Sequence, residues 1–250
     1  MYGLRRNVAK LFDNKGKLFL MAMDHAQGGC VEGLEDIRQK ALDHADTALD
    51  GFLLNVGLAP AMGQEEKLLG RKLALRTSFG GTMMSAEFTN VHANHVSPET
   101  ALALGADAVV MMLVMGGADY RSAQAMARDI DAYHRLQIPV IVEVLADDYG
   151  STQTFDVQAN GARVAAELGA DVVKGFYTEK FDRVVSGCPV PFLLAGGPRG
   201  TDIAEIVREG VDAGIRGLAF GRNLFQNSGS HELIAVSYTH LRAHETRHDL

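Results

Sequence analysis

The sequence predicts an α/β protein built as one (β/α)8 TIM barrel. Eight short apolar runs alternate with longer helical patterns along the 250 residues. Most of the runs lack polar alternation, as expected of parallel strands buried on both faces. A helix-to-strand phrase also repeats: Leu104-Gly105-Ala106-Asp107 returns as Leu168-Gly169-Ala170-Asp171, with Asp212-Ala213-Gly214-Ile215 as a looser copy. A doubly wound sheet repeats such units too. Eight strands in a chain of this length favour the closed barrel, whose usual size is about 250 residues.

The elements follow in order. The first run, 17–23, ends in Asp24-His25, and a helical pattern over 35–49 leads to the second run at 51–55. A pattern over 60–70 precedes the third run, 72–77, which carries Arg76. The segment 80–94 breaks the rhythm with Gly80-Gly81, Thr89-Asn90 and His92. It lies on the C-terminal face of a barrel, either as a lid or as a surface insertion. Helix 97–104 precedes the run 107–113, and helix 118–136 precedes the run 139–145, which contains Glu143. Helix 156–168 leads to the run 171–175 with Lys174, and helix 179–187 leads to the run 191–195 and Gly196-Gly197-Pro198. Helix 201–213 precedes the last run, 216–220, which opens into Gly221-Arg222-Asn223. In the repeated phrase, glycine closes each helix in the left-handed conformation. No linker rich in Pro, Ser or charge divides these units, so they form one domain.

Composition narrows the function. There are 24 Lys+Arg against 31 Asp+Glu, a net charge of −7, which disfavours nucleic acid as a partner. No apolar run approaches the ~18 residues of a membrane span. Arg5-Arg6 near the start is followed by too short an apolar segment for an export signal. Two cysteines, Cys30 and Cys188, far apart in the chain, read as reduced thiols of a cytoplasmic protein.

Barrel enzymes place their chemistry at the C-terminal ends of the strands, and charge there is costly to bury without a purpose or a partner. Lys174 is the sharpest candidate, since it interrupts the apolar Asp-Val-Val-Lys-Gly-Phe-Tyr. Desolvation favours a neutral amine, the form that attacks a ketone to give a Schiff base. The alternative is a lysine whose head reaches solvent or pairs with a carboxylate. If residues 141, 143 and 145 face one way, Glu143 enters the interior beside Lys174, as a catalytic or purely structural partner. Asp24 is placed to orient a hydroxyl or accept a proton. His25 and Arg76 are further candidate substrate contacts. The glycine elements after the seventh and eighth runs let backbone N–H groups approach a phosphate, so Gly196, Gly197, Gly221 and Arg222 are the candidate phosphate site. His92 and His95 have no carboxylate at a familiar ligand spacing, so no metal is expected. No organic cofactor is expected either.

Together, Met23-Asp24-His25, Asp171-Val172-Val173-Lys174, Ala195-Gly196-Gly197-Pro198 and Gly221-Arg222-Asn223-Leu224-Phe225-Gln226 resemble the archaeal-type class I fructose-bisphosphate aldolase family. The stretch from Tyr177 to Gly197 is most similar to relatives that act as thiolases on a phosphorylated autoinducer. The resemblance implies a (β/α)8 barrel, Lys174 as Schiff-base lysine and Asp24 as active-site carboxylate. It also implies a phosphorylated ketose or keto substrate held at Gly196, Gly197, Gly221 and Arg222, and a homo-oligomer. One departure stands out. The aldolases carry an acid/base tyrosine where this chain has Leu145, which leaves Glu143, Tyr149 or Tyr177 to serve, or leaves a non-catalytic barrel that binds phosphometabolites.

The family continues after Gln226 into a full eighth outer helix. Here a short helix-like stretch at 231–235 turns into Ser237-Tyr238-Thr239-His240-Leu241-Arg242-Ala243-His244-Glu245-Thr246. That stretch reads as translated sequencing adapter. The expected domain is therefore 1–235, with 236–250 a non-native tail, the eighth helix truncated or replaced, and an apolar strip left bare beside the eighth strand.

Overall fold

The structure, a computed structural model, describes residues 2–85, 92–196 and 202–243. Eight parallel strands close into a barrel: β1 (Leu18–Ala22), β2 (Gly51–Asn55), β3 (Lys72–Arg76), β4 (Ala108–Met115), β5 (Val140–Ala146), β6 (Val172–Phe176), β7 (Phe192–Ala195) and β8 (Gly217–Phe220). Each pairs with its chain neighbour, and β1 closes on β8 with Leu18 opposite Gly217. All eight apolar runs of the sequence are strands.

Side-chain alternation sorts every strand into an inner and an outer face. Leu18, Leu20, Leu53, Ala74, Val110, Ile141, Val172, Leu193 and Ala219 fill the barrel. The alternate residues, among them Phe19, Phe52, Val109, Val142 and Val173, pack under the helices. Burying each large apolar side chain contributes about 1.5–3 kcal/mol.

The helices are α1 (Tyr2–Leu11), α2 (Ile37–Asp43), α3 (Pro60–Gln64), α4 (Pro98–Ala103), α5 (Asp119–Arg135), α6 (Phe155–Glu167), α7 (Phe181–Gly187), α8 (Ile203–Ala213), α9 (Arg222–Phe225) and α10 (Ser230–Arg242). Local rules account for their ends. Asp36, Ser97 and Asp202 cap α2, α4 and α8 by accepting from backbone N–H groups. Gly105, Gly169 and Gly214 hold the positive φ expected of the repeated phrase.

Two helices were not read correctly from the sequence. α1 went unrecognised: Leu11 is its one buried residue, so it has little apolar stripe. Leu11, with Phe12 beyond it, caps the lower end of the barrel interior. Gln137 anchors α1 there, accepting from Leu4 N–H and Asn7 Nδ2 at 2.8 Å each.

α10 differs in extent from the helix-like stretch expected at 231–235. The chain does not leave helix near 235; it continues to Arg242. Ser230, Ile234, Ser237 and Leu241 are buried along one face at helical spacing, and two serines in that seam hide the periodicity. No bare apolar strip lies beside β8 among the described residues; Leu224, Phe225 and Ile234 are all buried. Residues 244–250 of the expected tail lie outside the described residues.

Candidate active site

The strand ends converge on a cavity of about 280 Å³ at the C-terminal mouth of the barrel. Its floor is polar. Alternation turns Arg76, Glu143 and Lys174 inward, with Glu143 and Lys174 directly opposed on β5 and β6. Asp24 joins them from the single 3-10 turn that ends β1. Lys174 Nζ donates to Glu143 Oε1 at 2.6 Å, and Arg76 Nε donates to Asp24 Oδ2 at 2.7 Å. Arg76 Nη2 also donates to Glu143. Two cations and two anions thus form one continuous chain of ion pairs, every member at most 5% exposed.

Each charge has an opposite partner, because an isolated buried charge is very costly. Burial by itself would raise the pKa of Asp24; the Arg76 guanidinium and then the Lys174 ammonium outweigh it and hold the carboxyl well below the usual range. Glu143 is lowered in the same way, burial opposed first by Lys174 and then by Arg76. Both carboxylates are ionised near neutral pH.

The wall toward β7 and β8 carries Gly196, Gly221, Arg222 and Asn223. A Cβ on Gly196 would run into Asn223 Oδ1, and one on Gly221 into the His25 ring and the Ala22 carbonyl. Glycine is required at both places by close approach. Arg222 Nη2 donates to the Tyr149 hydroxyl at 3.0 Å, drawing Tyr149 over this wall. His25 lines the same side, its ring edge-on to Phe225, and its buried Nδ1 has no hydrogen-bond partner.

A model of the DeoC/LacD aldolases matches residues 8–227 of this sequence. The chain belongs to the DeoC/LacD aldolase family. This family member is 32% identical over 238 residues to the 3-hydroxy-5-phosphonooxypentane-2,4-dione thiolase of Escherichia coli strain K12, spanning 90% of this chain and 78% of the relative. A solved archaeal fructose 1,6-bisphosphate aldolase superposes with a TM-score of 0.81 at 25% identity, covering 96% of this chain and 99% of that one. Another archaeal fructose-1,6-bisphosphate aldolase structure, with its catalytic Lys bound to the carbinolamine intermediate of its substrate, also gives 0.81 at 25% identity, with 94% and 99% covered. The fold expected from the sequence is the fold of this family's barrel, and the resemblance read from the motifs holds.

In this family member, Lys174, Asp24, Glu143, His25, Tyr149, Gly196, Gly221 and Arg222 all line the cavity. Gly197 lies outside the described residues. Two site expectations are corrected. Arg76 was expected to contact substrate, but it is fully buried under Asp24 and Glu143 and is absent from the cavity wall. Tyr177 was a candidate acid/base. One residue past inward-facing Phe176, it points outward, and its hydroxyl donates to Glu209 on α8, which pushes its pKa up to about 12.

The segment after β3 belongs to the site. Ser78–Phe79 and Ala93–Asn94 form a small antiparallel ladder. Gly80, Gly81, Met83 and His92 line the cavity, and Met83 N–H donates to the Gly28 carbonyl at 2.8 Å. Thr89 and Asn90 lie outside the described residues. In the sequence His92 stands out only as a possible metal ligand; its place in the cavity depends on that ladder, which spacing does not reveal. Among the described residues, no group of three or more His, Cys, Asp and Glu is placed to hold a metal ion.

Proposed function

We propose that this family member is a class I, Schiff-base-forming aldolase acting on a phosphorylated ketose or related keto compound. The observation carrying the proposal is the buried contact between Lys174 Nζ and Glu143 Oε1 at 2.6 Å, on the floor of the cavity. An amine must shed its proton before it attacks a carbonyl. Transfer from Lys174 to Glu143 removes two buried charges at once and leaves the Asp24–Arg76 pair intact. Free Lys174 then adds to the ketone carbon, and loss of water gives an iminium that withdraws electrons from the neighbouring C–C bond. Asp24 holds a substrate hydroxyl. Backbone N–H groups around Gly196 and Gly221, with the Arg222 guanidinium, hold the phosphate.

Arg76 supports this chemistry as a positioning residue, because it fixes both carboxylates. The reading takes the protein as a cytoplasmic homo-oligomer with a small-molecule partner and no nucleic-acid or membrane partner. Its acidic balance suits that, and among the described residues no helix is long and apolar enough to cross a membrane.

Borohydride reduction in the presence of dihydroxyacetone phosphate is the test. A stable adduct is expected on the peptide carrying Lys174, and none in Lys174→Ala. Full aldol activity with no adduct on Lys174 would sink the proposal.

The E. coli relative's name favours a second reading, in which the same lysine scaffold serves a thiolase-like acyl transfer from a phosphorylated dione. Formation of an acyl-coenzyme A from that dione, with no cleavage of phosphorylated ketoses, would replace the first reading by the second.

A further inference from the structure

The aldol reading leaves one step without a residue. Breaking the C–C bond requires a group that takes the proton of the hydroxyl on the departing carbon. Tyr177 is turned away to Glu209, Glu143 is tied to Lys174 and Arg76, and the Tyr149 hydroxyl is drawn to Arg222 on the phosphate wall. Leu145 stands where the resembling aldolases carry their tyrosine.

His92 lies on the opposite wall. Its backbone N–H donates to Ser122 Oγ on α5 at 3.2 Å, and its Nδ1 lies 3.5 Å from Ser78 Oγ. Ser78 Oγ accepts from Met112 N–H on β4 at 2.9 Å, and its second lone pair takes the proton of His92 Nδ1. That tautomer leaves the unprotonated Nε2 for the cavity that His92 lines. In the closed ring, β4 lies four strands from β8, and β6, which carries Lys174, is midway between them. A substrate with its phosphate at β7–β8 and its carbonyl carbon at Lys174 therefore points its remaining carbons toward β4. The other side chains there, Met112, Leu145 and Met83, are apolar.

We propose that His92 is the catalytic acid–base of the aldol step; this rests on the reading of Lys174 as the Schiff-base lysine. In cleavage, His92 accepts the hydroxyl proton of the departing carbon. The O–H electron pair becomes the second bond of the new aldehyde carbonyl. The C–C pair moves to form the enamine, and the iminium π pair returns to the Lys174 nitrogen. Protonated His92 then gives its proton to the enamine carbon, and water hydrolyses the iminium to release the ketone and the amine. Burial, reinforced by the positive charge of nearby Arg76, lowers the His92 pKa to about 4, so the ring is neutral and ready to accept at neutral pH.

Proton exchange separates this step from Schiff-base formation. With dihydroxyacetone phosphate as the probe, the wild type should both trap on Lys174 with borohydride and exchange the substrate's α-hydrogen with D2O. His92→Gln, which keeps a polar atom but cannot carry a proton, should trap as fully while exchange falls on the order of 100-fold or more. Unchanged exchange in His92→Gln overturns the proposal, as does loss of exchange in Tyr149→Phe alone. Loss of trapping in both His92→Gln and His92→Asn makes His92 a structural residue and also overturns it. Absence of trapping in the wild type instead refutes the Schiff-base reading beneath it.

Discussion

Arg76 illustrates how far a single side chain can be read. Its parity with Lys72 and Ala74 and its place at a strand end point it into the barrel mouth, and both are visible in the sequence. Whether it meets substrate depends on what lies above it. Asp24 and Glu143, 52 and 67 residues away in sequence, close over it. Removing the guanidinium leaves two carboxylates with one ammonium in a dry site, and breaking a buried pair typically costs about 3–5 kcal/mol. Arg76→Leu should lose that much stability in urea denaturation. A loss below about 1 kcal/mol would place the network on a level with a surface ion pair. Lys174 and Glu143 were legible for the same reason of parity, and their contact follows directly from strand register. The same alternation, carried one residue past Phe176, turns Tyr177 outward to Glu209.

At the level of elements, the strands were legible because burial on both faces leaves uninterrupted apolar runs, and the glycine-closed helices because φ > 0 selects Gly. The ladder after β3 was not, since two-residue strands carry no period. The turn from β8 into α9 was legible only in part. Glycine there suggested room for an anion, yet Gly221 also leaves space for the ring of His25. Gly221→Ala must displace a ring braced by Phe225, with a cost of roughly 1–3 kcal/mol for such overpacking. If the turn holds phosphate, KM for a phosphorylated ketose should rise at least about tenfold, the equivalent of 1.4 kcal/mol, while kcat changes less. An unchanged KM would separate the turn from substrate binding.

For the whole molecule, the last helix matters most. Arg242 reaches Asp13 after α1 at 2.7 Å and Asp50 before β2 at 3.4 Å, so α10 ties the chain's end to its beginning. Leu241 is fully buried beside it. Serines occupy half of the seam by which this helix docks, so its period is weak in the sequence. Leu241→Ala should cost about 2–5 kcal/mol and lower Tm by about 2–4 °C for each kcal/mol. A thermal scan with Tm unchanged would mean that the closing helix contributes nothing to the barrel.

Leu11 and Phe12 stop the barrel from below, so the cavity is a blind well whose occupant enters and leaves on the side of the mouth. That fixes a sequence of events in any cleavage at Lys174. The fragment that is not bonded to the lysine must climb out first, past Met83 and Tyr149, while its sibling stays tethered on the floor. Under the proposed Schiff-base chemistry, release is ordered by geometry, and the tethered half, last out, competes directly with the next substrate for the empty enzyme.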